Sequence, residues 1–348
     1  MGITNVRCVS EAGTEFVNNE TKMILLFGMP RSGTTWIGKI FDSHPDTLYM
    51  HEPDSWQRLN DIPLFIEDDY SDSGNSLDAF VLELRNMTKA QVTSKLPIFK
   101  KNYQSAFHFQ AYKSSLYYSF ICHKLGISKN IDPIRRASAG KNDAMCIVWK
   151  SIESLGRLAF FSKHIKNVTC SHIVRNPAGH IFSVMTGESK KTFQSSTPSS
   201  EDYHLFELLL ASDRGASLGY TLSDIKNFSP VERLAVRWRL YNEIVHDQCK
   251  ENDNYQLLIY EDLCRKPVEK AKQLFEFYGL SWAEETQAFV NQSVSKNKDT
   301  YYSVFKNPLE AAYKWKTKLD KNEIKEIVNI LSGSTAFSWY ESDFVDLI

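Results

Sequence analysis

A short apolar segment that runs directly into a glycine- and hydroxyl-rich turn constrains the fold of this chain more than any other feature. Residues 22–27, KMILLF, show no alternation of polar and apolar side chains, which is typical of a strand buried on both faces of a parallel sheet. The turn GMPRSGTT at 28–35 follows and overlaps the segment TTWIGKIFDSH at 34–44. Apolar side chains in that segment recur at i, i+1, i+4 and i+5 from Trp36, which predicts a helix.

Three further apolar segments extend this arrangement. They lie at residues 144–149, 168–174 and 255–260, and a shorter candidate strand lies at 47–50. Helix-like sequences, AGHIFSVM and PVEKAKQLFEFYGL, follow the second and third segments. Strands that alternate with helices indicate βαβ units. We therefore predict an α/β fold, a single P-loop-like domain with a mostly parallel central sheet and helices on both faces.

Changes of pattern along the chain set the predicted domain limits. We expect residues 1–21 to form an N-terminal extension, 22–330 the α/β domain and 331–348 a C-terminal segment. Within the domain, residues 54–142 combine an acidic, turn-rich stretch with an aromatic, helix-like one. We interpret them as a helical insertion or lid that shapes the substrate pocket, and ordinary helical packing is the alternative.

Composition excludes several classes of partner. The 41 Lys and Arg residues balance 42 Asp and Glu residues, so a net charge of −1 gives no overall attraction to nucleic acid or an anionic membrane. Six scattered cysteines without a CxxC pair favour a reducing compartment and no metal site. The polar N-terminus and the lack of a long apolar run predict a cytoplasmic protein without membrane insertion.

The turn at 28–35 has the properties of a phosphate-binding loop. A helix N-terminus offers free N–H groups and a partial positive charge, and Gly33 allows close approach of an anion. The spacing is that of GxxxxGK[ST], but Thr34 stands in place of the lysine, and the cation comes earlier as Arg31. This departure argues against a nucleoside-triphosphate enzyme and favours a phosphosulfate facing Arg31. Hydroxyl donors come from Ser32, Thr34 and Thr35.

The sequence PRSGTTW at 30–36 resembles the 5′-phosphosulfate loop of sulfotransferases that use 3′-phosphoadenosine-5′-phosphosulfate (PAPS). The resemblance implies that the backbone from Arg31 to Thr35, Gly33 included, cradles the 5′-phosphate. It also implies that Trp36 packs on the adenine, with a place in the core of the first helix as the alternative. PAPS would be the co-substrate and 3′,5′-adenosine bisphosphate (PAP) the product.

Two later segments match the same family. In SHIVRNPAGHIFSV, Arg175 ends a predicted strand and Ser183 follows eight residues later, as at the family's 3′-phosphate site. Asn176 and Ala178 stand where many members have Asp and Arg, so a supporting ion pair is expected to be missing. In LLIYEDL, Tyr260 matches a tyrosine that borders the adenine.

The segment SVSKNKDTYYSVFKNP resembles a basic loop that closes over the nucleotide in the family. Ser295 and Lys306 are the expected contacts. Lys296 and Lys298 are alternatives, because the alignment is loose here.

The catalytic residues are expected at the end of the short strand 47–50. Glu52 resembles the catalytic glutamate of tyrosylprotein and carbohydrate sulfotransferases, and His51 is the alternative base. Lys150 resembles a family lysine that stabilises charge in the transition state, a role that Arg31 would share. The family chemistry requires no metal.

The acceptor is the least determined part of the hypothesis. PRSGTT followed by HEP is closer to the carbohydrate and tyrosylprotein branches than to phenol or steroid enzymes. We therefore expect sulfuryl transfer to a hydroxyl or amine of a saccharide or small metabolite. A P-loop-type kinase and a non-catalytic nucleotide-binding module are the alternative functions.

Overall fold

The computed structural model describes residues 21–66, 74–93, 95–127, 132–136, 145–191, 197–295, 307–345 and 347. Within them, parallel strands form one five-stranded sheet in the order β2-β3-β1-β4-β5. The strands are β1 (Met23–Gly28), β2 (Thr47–His51), β3 (Cys146–Ser151), β4 (Val168–Val174) and β5 (Tyr255–Ile259). The predicted α/β class and parallel sheet are confirmed.

Helices surround the sheet and occupy most of the remaining described chain. Those in the first half are α1 (Thr34–Ser43), α2 (Pro53–Trp56), α3 (Gly74–Leu84), α4 (Ala90–Thr93), α5 (Ala106–Lys124), α6 (Leu158–His164), α7 (Pro177–Ser189) and α8 (Tyr203–Ala211). Those in the second half are α9 (Asp213–Leu218), α10 (Leu222–Asn227), α11 (Pro230–Cys249), α12 (Tyr260–Arg265), α13 (Pro267–Phe277), α14 (Glu284–Ser295), α15 (Pro308–Tyr313), α16 (Lys321–Leu331) and α17 (Thr335–Ser338). Among the described residues, no helix combines the length and the apolar character needed to cross a membrane.

The central strand β1 explains why its sequence lacks polar alternation. Successive side chains of a strand point to opposite faces. Leu25 and Phe27 pack into the core beneath α6, α7, α11 and α16. Ile24 and Leu26 pack into a second core against α1, α12, α13 and α14. Both faces of β1 are therefore covered, as a central parallel strand requires.

Strand β3 begins and ends later than the sequence pattern predicted. The apolar run suggested residues 144–149, whereas the strand covers Cys146–Ser151. Lys150 pairs in register with Leu26 of β1 and with His51 of β2, so it lies inside the sheet rather than beyond its end. Pairing on both sides extends the strand past the apolar run. The predicted strand at 255–260 is also shorter, because Tyr260 begins α12.

A buried ionic cluster ties the C-terminal half of α1 to the segment that precedes α5. The carboxylate of Asp42 contacts the ammonium groups of Lys39 and Lys101, and Arg136 Nη2 donates to its Oδ1 at 2.8 Å. All four side chains are buried. Burial lowers the pKa of Lys39 to about 8 and that of Lys101 to about 7, although Asp42 opposes both shifts. The helix that starts at the turn 28–35 is thus anchored at its other end.

The domain limits at 1–21, 22–330 and 331–348 stay predictions. The described part of 54–142 is helical and contains α3, α4 and α5. Near the C-terminus, Phe344 stacks on Trp315 with ring centroids 5.1 Å apart and belongs to the same core as β1.

Candidate active site

The turn between β1 and α1 has the backbone shape of an anion-binding loop. Arg31 and Gly33 both take left-handed conformations, with φ of 72° and 84°. Ser32 N donates to Met29 O at 3.2 Å, which closes the turn before the helix begins at Thr34. The N–H groups of a first helical turn have no partner within the helix, so they can bind an anion. Ser32 and Thr34 are buried in this turn, whereas Thr35 is half-buried.

Tyr260 packs directly against this turn. A β-carbon at position 33 would overlap the Cε2 and Cδ2 atoms of the Tyr260 ring, so glycine is required by the close approach as well as by φ. The same ring lies edge-on to Trp36 at 6.1 Å and beneath the guanidinium of Arg175 at 5.4 Å. Tyr260 therefore joins the loop to the arginine predicted to bind the 3′-phosphate.

Arg175 follows the last residue of β4 and is almost completely buried. Its Nη1 donates to Arg31 O at 3.0 Å and its Nη2 donates to Ala311 O at 2.7 Å. Its Nε is buried and has no hydrogen-bond partner in the described part of the chain. The two Nη bonds fix the Arg175 guanidinium between the turn 28–35 and α15.

Arg31 and Ser183 are also in contact. Arg31 Nε donates to Ser183 Oγ at 3.1 Å, across the gap between the turn and α7. Three of the predicted nucleotide contacts, Arg31, Arg175 and Ser183, are therefore brought together by the fold. Which ligand groups they bind stays a prediction.

Asn176 takes over part of the role expected of an aspartate. Its Oδ1 accepts from Ala178 N at 3.0 Å and from Gly179 N at 3.3 Å, which caps α7. Its Nδ2 donates to Asp343 Oδ2 at 3.0 Å, a bond that an aspartate could not make. The supporting contact is thus an amide–carboxylate hydrogen bond instead of an ion pair.

Glu261 is a residue near the site that sequence reasoning missed. It follows Tyr260 directly, and its Oε1 accepts from Asn176 N at 3.0 Å. Burial raises the pKa of Glu261 to about 7, and nearby Arg175 opposes the shift. Its position within YEDL, one residue after the predicted adenine contact, was the available signal.

The predicted catalytic pair forms at the carboxyl edge of β2 and β3. The Lys150 ammonium contacts Glu52 Oε1, and Glu52 N donates to Lys150 O at 2.8 Å. The Glu52 backbone has φ of 50°, which turns its side chain away from the strand direction. Its side chain is 23% exposed, whereas that of Lys150 is 1% exposed. Glu52 therefore presents an accessible carboxylate held by a buried cation.

His51 lies beside this pair but is less accessible. Its Nδ1 is 2.8 Å from Tyr49 OH, and its Nε2 is 3.8 Å from Glu52 Oε1. Burial lowers the pKa of His51 well below its usual 6.5, and the charge of Lys150 adds to the effect. His51 is therefore a neutral imidazole near pH 7.

Asp54 is a second residue that the sequence did not identify. It is buried, accepts from Trp149 Nε1 at 3.2 Å and from Ser154 Oγ at 2.6 Å, and also contacts Ser151 Oγ. These bonds fix the start of α2 to the end of β3, directly after Glu52. Asp54 therefore positions the backbone that carries the candidate base.

The remaining predicted contacts, Trp36, Ser295 and Lys306, stay predictions. Trp36 is buried in the core around α1, and its Nε1 donates to Ser293 Oγ at 3.0 Å. Ser295 is exposed and bonds to Gln292 O of its own helix at 3.3 Å, so Ser293 rather than Ser295 contacts the loop helix. Lys306 and its alternatives, Lys296 and Lys298, lie outside the described residues.

The comparisons with known proteins agree with this arrangement. A model of the sulfotransferase family matches residues 24–284. The chain therefore belongs to the sulfotransferase family and is a transferase that moves a sulfuryl group.

Individual relatives are distant. Mouse carbohydrate sulfotransferase 5 is 20% identical over 358 aligned positions, which cover 92% of this chain and 80% of that protein. The sulfotransferase domain of the Synechococcus PCC 7002 olefin synthase is 17% identical, with a TM-score of 0.41 over 89% of this chain and 94% of that one. Mouse sulfotransferase SULT7A1 complexed with PAP is 10% identical, with a TM-score of 0.43 over 92% of this chain and 88% of that one.

Proposed function

We propose that this enzyme transfers the sulfuryl group of PAPS to a hydroxyl or amine of a carbohydrate or small metabolite, with Glu52 as general base. The contact between Glu52 and Lys150 at the carboxyl edge of the sheet is the observation that carries this proposal. Parallel α/β sheets bind ligands at this edge. The phosphate loop after β1 and Arg175 after β4 open onto the same edge.

The donor assignment is supported by two separate cationic features. The turn 28–35 offers helix N–H groups and Arg31 to a 5′-phosphosulfate. Arg175, which resembles the arginine of the family's 3′-phosphate site, contacts the same turn through its Nη1 and would face a second anionic group. A nucleotide with phosphates on both sides of its ribose fits this pair better than a linear triphosphate does.

The reaction is an in-line displacement at sulfur. The acceptor oxygen or nitrogen forms a bond to sulfur while the bond from sulfur to the bridging phosphate oxygen breaks, which leaves PAP. Glu52 accepts the proton that the acceptor loses. Lys150 and Arg31 are the cations available to stabilise negative charge as the bridging bond breaks.

Glu52 is a better candidate base than His51 for two reasons. Its carboxylate is the more exposed of the two groups, so an acceptor can reach it. In addition, His51 Nδ1 is already 2.8 Å from Tyr49 OH, which holds the imidazole in the protein interior. His51 and Tyr49 instead support the strand end from which Glu52 projects.

The proposed acceptor class is supported by one relative and one sequence motif. The curated relative that spans most of this chain is a carbohydrate sulfotransferase, and the HEP sequence pointed to the same branch. We therefore propose saccharides as the first acceptors to test, and amines and small alcohols as the second.

Transfer of radioactive sulfur from labelled PAPS to mono- and disaccharides tests this proposal. We expect Glu52→Gln to lower kcat by about 10²–10⁴-fold, the usual contribution of a positioned base, while PAP affinity stays within threefold. His51→Asn should lower kcat less than tenfold. Glu207→Gln, which alters an exposed glutamate on α8, is the control and should retain activity.

Two results would contradict the assignment of the base. One is a loss of kcat of about 10²–10⁴-fold in His51→Asn while Glu52→Gln stays active, which would make His51 the base. The other is equal loss of PAP binding and of turnover in Glu52→Gln, which would give the residue a structural role only.

A further inference from the structure

Helix α5 carries apolar side chains on two opposite faces. Its inner face packs against the protein: Tyr112 and Leu116 are completely buried, and Tyr112 OH donates to Thr93 O at 3.0 Å. Its outer face exposes four large apolar side chains. They are Phe107 at 84%, Tyr118 at 60%, Ile121 at 56% and Leu125 at 66%.

These four side chains lie on one side of the helix, which we call the outer face of α5. Tyr118, Ile121 and Leu125 are neighbours there, whereas exposed Gln110 and Ser114 lie between them and Phe107. Positions 107, 118, 121 and 125 fall within about 60° of one another at 100° per residue. Leu125 N donates to Ile121 O at 2.9 Å, so the helical geometry continues through Leu125. Tyr117 and Phe120, also exposed, widen the outer face on one side. Soluble monomers rarely expose an apolar patch like the one that Tyr117, Tyr118, Ile121 and Leu125 form at the C-terminal end of α5 unless it binds something.

The charged side chains of α5 itself have one sign, whereas among the neighbouring lysines Lys89 pairs with Asp132 and buried Lys101 contacts Asp42. Residues 85–131 contain eight Lys and Arg residues and neither Asp nor Glu, in a chain whose charges otherwise nearly balance. Exposed Lys100 and Lys124 lie near the two ends of α5, and half-buried Lys113 lies between them. The local field therefore attracts anions, although the net charge of −1 predicted no attraction for the molecule as a whole.

The combination of exposed apolar side chains and lysines distinguishes between the partners that could bind the outer face of α5. A second copy of α5 would place lysines against lysines, with no carboxylate on either helix to compensate. An anionic lipid surface offers acyl chains to the phenylalanine, tyrosine and aliphatic side chains, and it offers anionic headgroups to the lysines.

We propose that α5 docks the enzyme on an anionic lipid surface. The helix lies in the headgroup region, with its outer face toward the acyl chains and its lysines among the anionic headgroups, and it does not cross the bilayer. The inner-face contacts hold α5 rigidly, so docking requires no unfolding. This inference is independent of the donor and acceptor proposed above.

Co-sedimentation of the full chain with vesicles tests the proposal. We expect binding to phosphatidylcholine vesicles that contain 30% phosphatidylserine, at least tenfold less binding to pure phosphatidylcholine, and a strong decrease at 0.5 M salt. The double variant Phe107→Ser/Leu125→Ser should lower the partition coefficient at least tenfold, and so should Lys113→Glu/Lys124→Glu. Val345→Ser, which removes an apolar side chain that is 69% exposed elsewhere, should bind as the unmodified protein does.

Unfolding temperature and PAP binding of each variant provide the test of folding, and both should be unchanged because the substituted side chains are exposed or, at Lys113, half-buried. Equal binding to neutral and anionic vesicles, absence of vesicle binding, or unaltered binding by both double variants would overturn the proposal. A dimer in sedimentation velocity that Phe107→Ser/Leu125→Ser converts to monomer would also overturn it, because a second copy would then occupy this face.

Discussion

At Gly33, the backbone conformation and the packing both require a glycine. Its φ of 84° is strained for any residue with a β-carbon, and the ring of Tyr260 occupies the space that a β-carbon needs. The ring in turn supports Arg175. A change at Gly33 should therefore disturb the phosphate loop and the buried arginine together.

We expect Gly33→Ala to weaken PAP binding at least tenfold in titration calorimetry, because Tyr260 must move away from the loop. Gly219→Ala is the matched control. Gly219 has a similar φ of 75° but open space around it, so its substitution adds only the backbone strain of about 1 kcal/mol. Normal PAP affinity in Gly33→Ala would show that the contact with Tyr260 is not part of the nucleotide site.

Single residues of the site were predictable where the sequence resembles a motif of the family. Arg31, Arg175 and Ser183 came from motif positions, and the fold brings them into contact. Asp54 and Glu261 were not predicted, because their roles depend on partners distant in sequence, such as Trp149 and Asn176. Isolated carboxylates in a sequence do not reveal such contacts.

At the scale of elements, α1 is held at both ends. Its N-terminus forms the phosphate loop, and Asp42 near its C-terminus lies among three buried cations. Burial alone would raise the pKa of Asp42, but the charges of Arg136, Lys39 and Lys101 outweigh it and hold this pKa below its usual range. Removing the carboxylate leaves the buried Arg136 guanidinium without its counterion and removes the charge that favours the protonated forms of Lys39 and Lys101.

Asp42→Asn should therefore lower the free energy of unfolding by about 3–5 kcal/mol, as measured by urea denaturation at pH 7. Asp46→Asn is the control, since that side chain is more exposed and contacts the Asn102 amide at 2.7 Å. Its cost should stay below about 1 kcal/mol. Equal effects of the two substitutions would show that the buried cluster is not a net source of stability.

The elements themselves were predictable to different extents. Strands β1 and β4 matched their apolar runs closely, because central strands have no polar face. Strand β3 was displaced by two residues, since its pairing partners and not its own hydrophobicity set its end. The order β2-β3-β1-β4-β5 was not predictable, because it depends on which crossovers pack best.

At the scale of the whole molecule, two completely buried histidines make stability depend on pH. Burial lowers the pKa of His172 to about 3 despite its bond to Asn242, and burial together with nearby arginines lowers that of His180 to about 3. The unfolded chain binds a proton at each histidine near pH 6.5. Between pH 6.5 and 3 these two histidines therefore bind more protons in the unfolded state and lower stability as pH falls, whereas Glu261, whose raised pKa makes the folded state hold its proton more tightly, acts in the opposite direction.

Urea denaturation at several pH values should show this loss, up to about 1.4 kcal/mol per pH unit for each histidine. His172→Gln should be less stable at pH 7.5 but should lose less stability per pH unit below 6.5. His204→Gln, at an exposed position, should keep the original slope. An unchanged slope in His172→Gln would mean that His172 is not buried in its neutral form.

The cytoplasmic location predicted from composition stays a prediction, and the docking surface on α5 is compatible with it. The predicted location and the proposed docking surface both depend on the distribution of charge over the molecule more than on any single contact. The net charge of −1 includes the positive segment 85–131, which acidic residues elsewhere in the chain offset.

The thermal unfolding temperature with added nucleotide tests whether the enzyme uses PAPS. We predict that PAP at 100 times its dissociation constant adds about 2.7 kcal/mol of stability, that 5′-AMP adds much less at the same concentration, and that Arg175→Ala abolishes the difference. Arg214→Ala, which alters a surface ion pair with Asp247, should respond to PAP as the unmodified protein does. Stabilisation by ATP with Mg²⁺ but not by PAP would contradict the account and favour a kinase.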